Sequence, residues 1–241
     1  MKTIDAKMTL GELVDAHPQL ARQFEQRGLD YCCGGRRSLA DVCAERSLDT
    51  AAIVDELSAT ITDDARGEWS SMSAIQLVDH IESTHHRYLW EELPRLSALL
   101  DKVVSVHGER HPELNALAAC FAAIRADLEP HLRKEEQVLF PMISELATAP
   151  STPSTPSFAC GPMANPISVM LREHDAVGVL LAQLRRLTDD YTPPVDACAS
   201  YTACFAGLAT LEDDTHLHIH KENNVLFPLV ERLESPGVSD L

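Results

Sequence analysis

The chain has 241 residues, 45% hydrophobic and 24% charged, enough to bury a substantial core in one or two globular domains. Its net charge of −17 repels nucleic acid and anionic lipid, so neither is an expected partner. No stretch approaches the roughly 18–20 uninterrupted apolar residues of a membrane span, and the first residues lack the apolar core of a signal peptide. Seven cysteines scattered without a framework suit a reducing compartment, so the expected location is cytoplasmic. Aromatics at 5%, few glycines and long Leu/Ala/Glu runs favour an all-α fold.

Residues 1–62 read as a small helical domain. Leu10, Leu13, Val14, Leu20 and Phe24 carry helical apolar spacing, and Gly28 marks a stop. Ser38 with Asp41 opens a helix that carries Leu39, Val42 and Cys43, and Asp49 caps another that holds Ile53, Val54 and Leu57. Ahead of Ser38 lies Tyr31-Cys32-Cys33-Gly34-Gly35-Arg36-Arg37. Beside a helix start and two arginines, Cys32 and Cys33 are expected to favour thiolate and to be reactive. Adjacent cysteines close a disulfide only with strain, which leaves a labile redox bridge as one alternative and plain packing as another.

Residues 63–72 are polar and read as a linker, and 73–234 read as a bundle of four helices with a short tail at 235–241. Helix one, about 73–100, has the stripe Ile75, Val78, Ile81, Leu89, Leu93, Leu96 and Leu100, with His80, His85 and His86 along it. A loop with His107 and His111 leads into helix two, which runs to Phe140-Pro141. The Ser/Thr/Pro-rich stretch at 148–166 separates two halves. Helix three, about 166–188, holds His174 amid Ile167, Met170, Leu171, Val177 and Leu181, and helix four ends at Phe227-Pro228.

One phrase occurs twice. His131-Leu-Arg-Lys-Glu135-Glu-Gln-Val-Leu-Phe-Pro141 returns as His218-Ile-His-Lys-Glu222-Asn-Asn-Val-Leu-Phe-Pro228. Residues four apart on a helix stack on one face about 6 Å apart, so each copy aims an imidazole and a carboxylate at one spot. The halves repeat as whole units: His86 precedes His131 by 45 residues, and His174 precedes His218 by 44. Two equal hairpins make a four-helix bundle, a fold that builds metal sites from inward side chains. Between His85 and His86 the repeat selects His86, whose Leu89 and Leu93 match Val177 and Leu181 after His174. His86, His131, Glu135, His174, His218 and Glu222 are then the candidate ligands. They are too many for one tetrahedral zinc and suit two metals bridged by carboxylates. His17, His80, His107, His111, His216 and His220 read as capping, packing or solvated histidines, and Glu136, replaced by Asn223 in the second copy, as no ligand.

This ligand set with both Leu-Phe-Pro tails resembles the hemerythrin-like di-iron domain, an up-down four-helix bundle. With the Tyr31–Gly35 module in front and Gly161-Pro-Met-Ala-Asn-Pro-Ile-Ser-Val-Met170 between the halves, nearly the whole chain resembles the repair of iron centres family, whose members protect and restore iron-sulfur clusters after nitric oxide or peroxide damage. The resemblance implies two iron ions in an oxo- and carboxylate-bridged pair, with Glu135 and Glu222 as bridges and the four histidines as terminal ligands. It implies damaged iron-sulfur proteins as partners and small diatomics, nitric oxide and oxygen, as ligands, and it leaves room for a homodimer. Iron donation to a damaged cluster is the first expectation, with Cys32 and Cys33 as redox, client-docking or iron-transfer thiols. Reduction of nitric oxide to nitrous oxide at the two irons is the alternative that would make the chain an enzyme; oxygen or nitric oxide binding or sensing is another. The Cys-Cys module favours repair, because a simple carrier has no need of it.

Overall fold

The computed structural model describes residues 4–61, 67–149, 158–159 and 161–234. The Ser/Thr/Pro run at 151–157, Cys160, residues 62–66 of the linker region and the expected tail at 235–241 lie outside the described residues. Every regular element among the described residues is a helix, so the fold is all-α as the composition predicts, with one isolated antiparallel bridge between Thr9 and Ser38. The chain forms two compact units, one drawn from Met1–His80, Ile143–Ala164 and His216–Leu241, the other from Ile81–Met142 and Asn165–Thr215.

The first unit opens with α1 (Leu10–Ala16), α2 (Leu20–Gln26), α3 (Leu39–Glu45) and α4 (Thr50–Thr60). Spacing alone reads α1 and α2 as one helix. His17 precedes Pro18, whose ring pushes the preceding residue out of the α region, and His17 accordingly sits at φ −145°, ψ 81°. The caps follow the side chains: Thr9 and Glu12 form a reciprocal box, Ser38 Oγ accepts from Asp41 N, and Asp49 accepts from Ala51 N and Ala52 N. Gly28 ends α2 at φ +61°, a left-handed conformation that glycine adopts without steric cost. Leu10, Leu13, Leu20, Phe24, Tyr31, Leu39 and Leu57 fill this unit's core, and Ile219 from far along the chain joins them.

The second unit is built on α6 (Arg87–His107), α7 (Glu113–Lys134), α9 (Ala164–Leu187) and α10 (Ala199–His220). One apolar core draws on all four: Leu89, Leu93 and Leu96 from α6; Leu117, Phe121 and Ile124 from α7; Val177 and Leu181 from α9; Phe205 and Leu208 from α10. Helix α6 runs through His107 instead of stopping near residue 100, because Val103 and His107 extend its buried face. Helix α5 (Ala74–Ile81) leads into this bundle and carries a box between Ser73 and Gln76.

Among the described residues three segments leave α geometry for π turns: Glu82–His86, Glu135–Leu139 and Lys221–Leu226. A π turn holds one extra residue and so widens the buried face: His85 and His86, Leu139 and Phe140, and Leu226 and Phe227 are buried together as each turn closes. The expected helix ends at Phe-Pro do not hold. Helix α8 (Phe140–Thr148) and α11 (Phe227–Glu234) continue past Pro141 and Pro228. A proline inside a helix removes one backbone donor, a cost the packed chain also carries at Pro94 in α6 and Pro130 in α7.

Candidate metal centre

In the second unit three imidazoles converge on one carboxylate. His86 closes the first π turn, His131 lies on α7 one turn before Glu135, and His174 lies on α9. Glu135 Oε2 is 3.3 Å from His131 Nε2 and 3.5 Å from His86 Nε2, while His174 Nε2 stands 3.1 Å from His131 Nε2. The ligand atoms of His131, Glu135 and His174 lie within 4.8 Å of one another, and these three residues and His86 are at most 2% exposed.

The outward nitrogens explain the inward ones. His86 Nδ1 meets Glu136 Oε1 at 3.0 Å, and His131 Nδ1 meets Glu173 Oε2 at 3.0 Å. A carboxylate only accepts, so each Nδ1 carries the proton and each Nε2 turns a lone pair inward. Trp90 Nε1 donates to the same Glu136 oxygen at 2.7 Å, and Lys134 pairs with Glu173. Burial acts to raise the Glu173 carboxyl, but hydrogen bonds from Lys134 and His131 outweigh it and hold the group below its ordinary range. Buried imidazole nitrogens and a carboxylate gathered at 3.1–3.5 Å are a donor set that a cation suits, and mixed imidazole and carboxylate fits iron, zinc or manganese.

The first unit holds the other pair. His218 Nε2 lies 3.2 Å from Glu222 Oε1, both buried, with Glu222 in the third π turn. His85 is also buried, but its Nδ1 faces Asp214 at 2.9 Å. His220, read from sequence as solvated, is fully buried: its Nε2 meets Asp15 Oδ1 at 2.9 Å and its Nδ1 faces the Tyr31 carbonyl at 3.3 Å. His80 accepts from Lys221 Nζ at 2.8 Å, and burial and that ammonium lower its basicity. An open cleft of about 420 Å³ is lined by Glu82, His86, Arg87, Trp90, Glu91 and Glu136.

Cys32 and Cys33 sit in the loop before α3 as free thiols, Cys32 buried and Cys33 half-buried, with sulfurs 3.9 Å apart. The expected thiolate bias does not hold for Cys32. Its hydrogen bond with Cys33, its burial and the nearby Asp30 push its thiol well above the usual range, while Arg37 is turned to Glu45.

Residues 77–230, which include all six candidate ligands, match the Hemerythrin HHE cation binding domain. Residues 6–61, with both cysteines, match a Domain of Unknown function (DUF542). The protein named Iron-sulfur cluster repair protein YtfE from Yersinia pseudotuberculosis serotype IB is 39% identical over 227 residues, 94% of this chain and 97% of that protein. Its namesakes from Enterobacter sp. (strain 638) and Escherichia coli O6:K15:H31 are 37% and 36% identical over 219 residues, 91% of this chain and 94% of each. The chain belongs to the hemerythrin-domain family of iron-sulfur cluster repair proteins. In this member the residues that sequence spacing overlooks are Glu136, Glu173 and Trp90, because they touch the imidazoles' outer edges and follow no repeat. No described helix is long and apolar enough to cross a membrane.

Proposed function

We propose that the chain is a di-iron protein that restores iron-sulfur clusters damaged by nitrosative or oxidative stress, by donating iron to cytoplasmic client proteins. The observation that carries this reading is the convergence of His86, His131 and His174 Nε2 around Glu135, read together with the second-copy pair His218 and Glu222. By the family resemblance all six residues would hold the two ions, with Glu135 and Glu222 as the shared carboxylates and the histidines as terminal ligands. The names of the relatives, which span nearly their whole length here, support repair as the activity. The family matches at 6–61 and 77–230 support a division into a Cys-Cys module at 1–62 and a bundle at 73–234, joined by 63–72 and followed by a tail at 235–241.

Within this reading each group has a task. Glu136 and Glu173 hold the Nδ1 protons so that His86 and His131 present a fixed lone pair. Six protein side chains would hold the two ions through imidazole nitrogens and carboxylate oxygens, the mixed donor set that suits iron. Bound there, iron would supply ferrous–ferric cycling and the cargo itself. Glu82, Glu91 and Glu136 give the cleft at His86 an acidic wall that attracts a passing cation.

The test is reactivation of an oxidant-inactivated iron-sulfur dehydratase by the iron-loaded chain, against the same concentration of free ferrous iron. Reactivation well above the free-iron level, lost in Glu135→Ala, is expected. Reactivation no better than free iron, with nitrous oxide formed from added nitric oxide, would replace donation by nitric oxide reduction.

A further inference from the structure

Apart from the bundle's ligands, one cluster gathers two thiols and a carboxylate. The loop Asp30–Gly35 curls round the Asp30 side chain, whose Oδ1 accepts from Cys32 N at 3.1 Å and Cys33 N at 2.9 Å and lies 3.2 Å from Cys32 Sγ. The ligand atoms of Asp30, Cys32 and Cys33 all fall within 4.8 Å of one another. The loop is also fastened from behind. Asn224 Nδ2 donates to the carbonyls of Tyr31 at 3.3 Å and Cys32 at 3.0 Å, and Asn223 Nδ2 reaches the Cys32 carbonyl at 3.4 Å. Gly35 makes this approach feasible, since a Cβ there would stand 2.4 Å from the Tyr31 carbonyl and 2.5 Å from Asn224 Oδ1. With its carbonyls tied down, the loop turns both sulfurs and the carboxylate to one side, where Asp30 is exposed and Cys33 half-exposed.

We propose that Asp30, Cys32 and Cys33 form a second metal site, a three-ligand seat for a single thiophilic divalent ion such as ferrous iron or zinc, open to solvent at its fourth position. The distances match the shape required. Two sulfurs each about 2.3 Å from a tetrahedral ion stand about 3.8 Å apart, and a sulfur and a carboxylate oxygen about 3.5 Å; the observed separations are 3.9 Å and 3.2 Å. The ion displaces the two thiol protons to water and leaves two thiolates and one carboxylate bound to it. Asn223 and Asn224 belong to the π turn that carries Glu222, so the seat is pinned to the segment that bears a candidate ligand of the bundle centre. The binding claim stands apart from the repair reading, and its failure leaves that reading untouched.

The full-length reduced chain is titrated anaerobically with cobalt(II), whose thiolate charge-transfer band reports sulfur ligation and is silent for imidazole and carboxylate sites. A band saturating at one ion per chain is expected, reduced by about half in Cys33→Ser and absent in the Cys32→Ser/Cys33→Ser chain. No band in the unaltered chain, or a full band in the double variant, overturns the site. Because Cys32 is buried and its substitution can disturb folding, a second measurement uses the unaltered chain. Saturating zinc is expected to slow alkylation of Cys33 by about tenfold or more while leaving Cys198 unchanged. Equal rates for Cys33 with and without zinc overturn the proposal.

Discussion

Glu136 stands next to a candidate ligand, yet its work lies on the far side of the imidazole. One of its oxygens takes both His86 Nδ1 and Trp90 Nε1, so the His86 ring is fixed in tilt and tautomer together. Glu136→Gln keeps the size of the side chain and removes the charge that holds the proton on Nδ1. The variant is expected to keep its helical content and to lose about tenfold or more in metal affinity, measured by competition with a chelator of known strength. Unchanged affinity would reduce Glu136 to a packing role. The repeat ranks this residue low because the second copy has Asn223 in its place. The structure gives the two positions different neighbours: Glu136 meets an imidazole, whereas Asn223 and Asn224 meet the carbonyls of the cysteine loop. A repeated phrase shows which residues share a face. It is blind to what the flanking positions touch.

At the scale of the helix, the π turns decide which side chains face inward. Ile81, His85 and His86 are all buried, but His86 faces Glu135 and His85 faces Asp214, while spacing by threes and fours runs the stripe of helix one toward His85. Deleting Ser83 should turn the Glu82–His86 segment back to α geometry and swing His86 about 100° away from Glu135. The expected outcome is unchanged helical content with about half of the bound metal lost. Full metal content in that variant would contradict the role given to the π turn. Caps at Ser38 and Asp49 and the stop at Gly28 are legible in sequence because each is one side chain or one backbone preference acting locally. Pro18 also carries a legible signal, masked by the apolar spacing that runs across it. Helices α8 and α11 are hidden by Pro141 and Pro228, which read as stops in sequence although the folded chain carries them, like Pro94 in α6 and Pro130 in α7, inside helical segments.

At the scale of the molecule, the sequence reading separates an N-terminal module from a bundle, whereas the first unit joins residues from both ends of the chain. Asp15 is its rivet, accepting from His220 Nε2 and Trp69 Nε1, each at 2.9 Å. Asp15→Ala leaves two donors without their acceptor and should cost about 1–3 kcal/mol of unfolding free energy by urea titration. A change under about 0.5 kcal/mol would place the adhesion of this unit in its apolar core alone. This linkage is invisible to periodicity, since nothing in the sequence pairs position 15 with position 220.

The central claim concerns where the iron goes. The chain is loaded anaerobically with labelled ferrous iron, mixed with an oxidant-damaged iron-sulfur dehydratase, and label and activity are measured in the re-isolated client. The account predicts that label enters the client together with recovered activity, faster than from the same amount of free labelled iron. Label that stays on the chain while the client remains inactive would contradict it and make the centre a resident one.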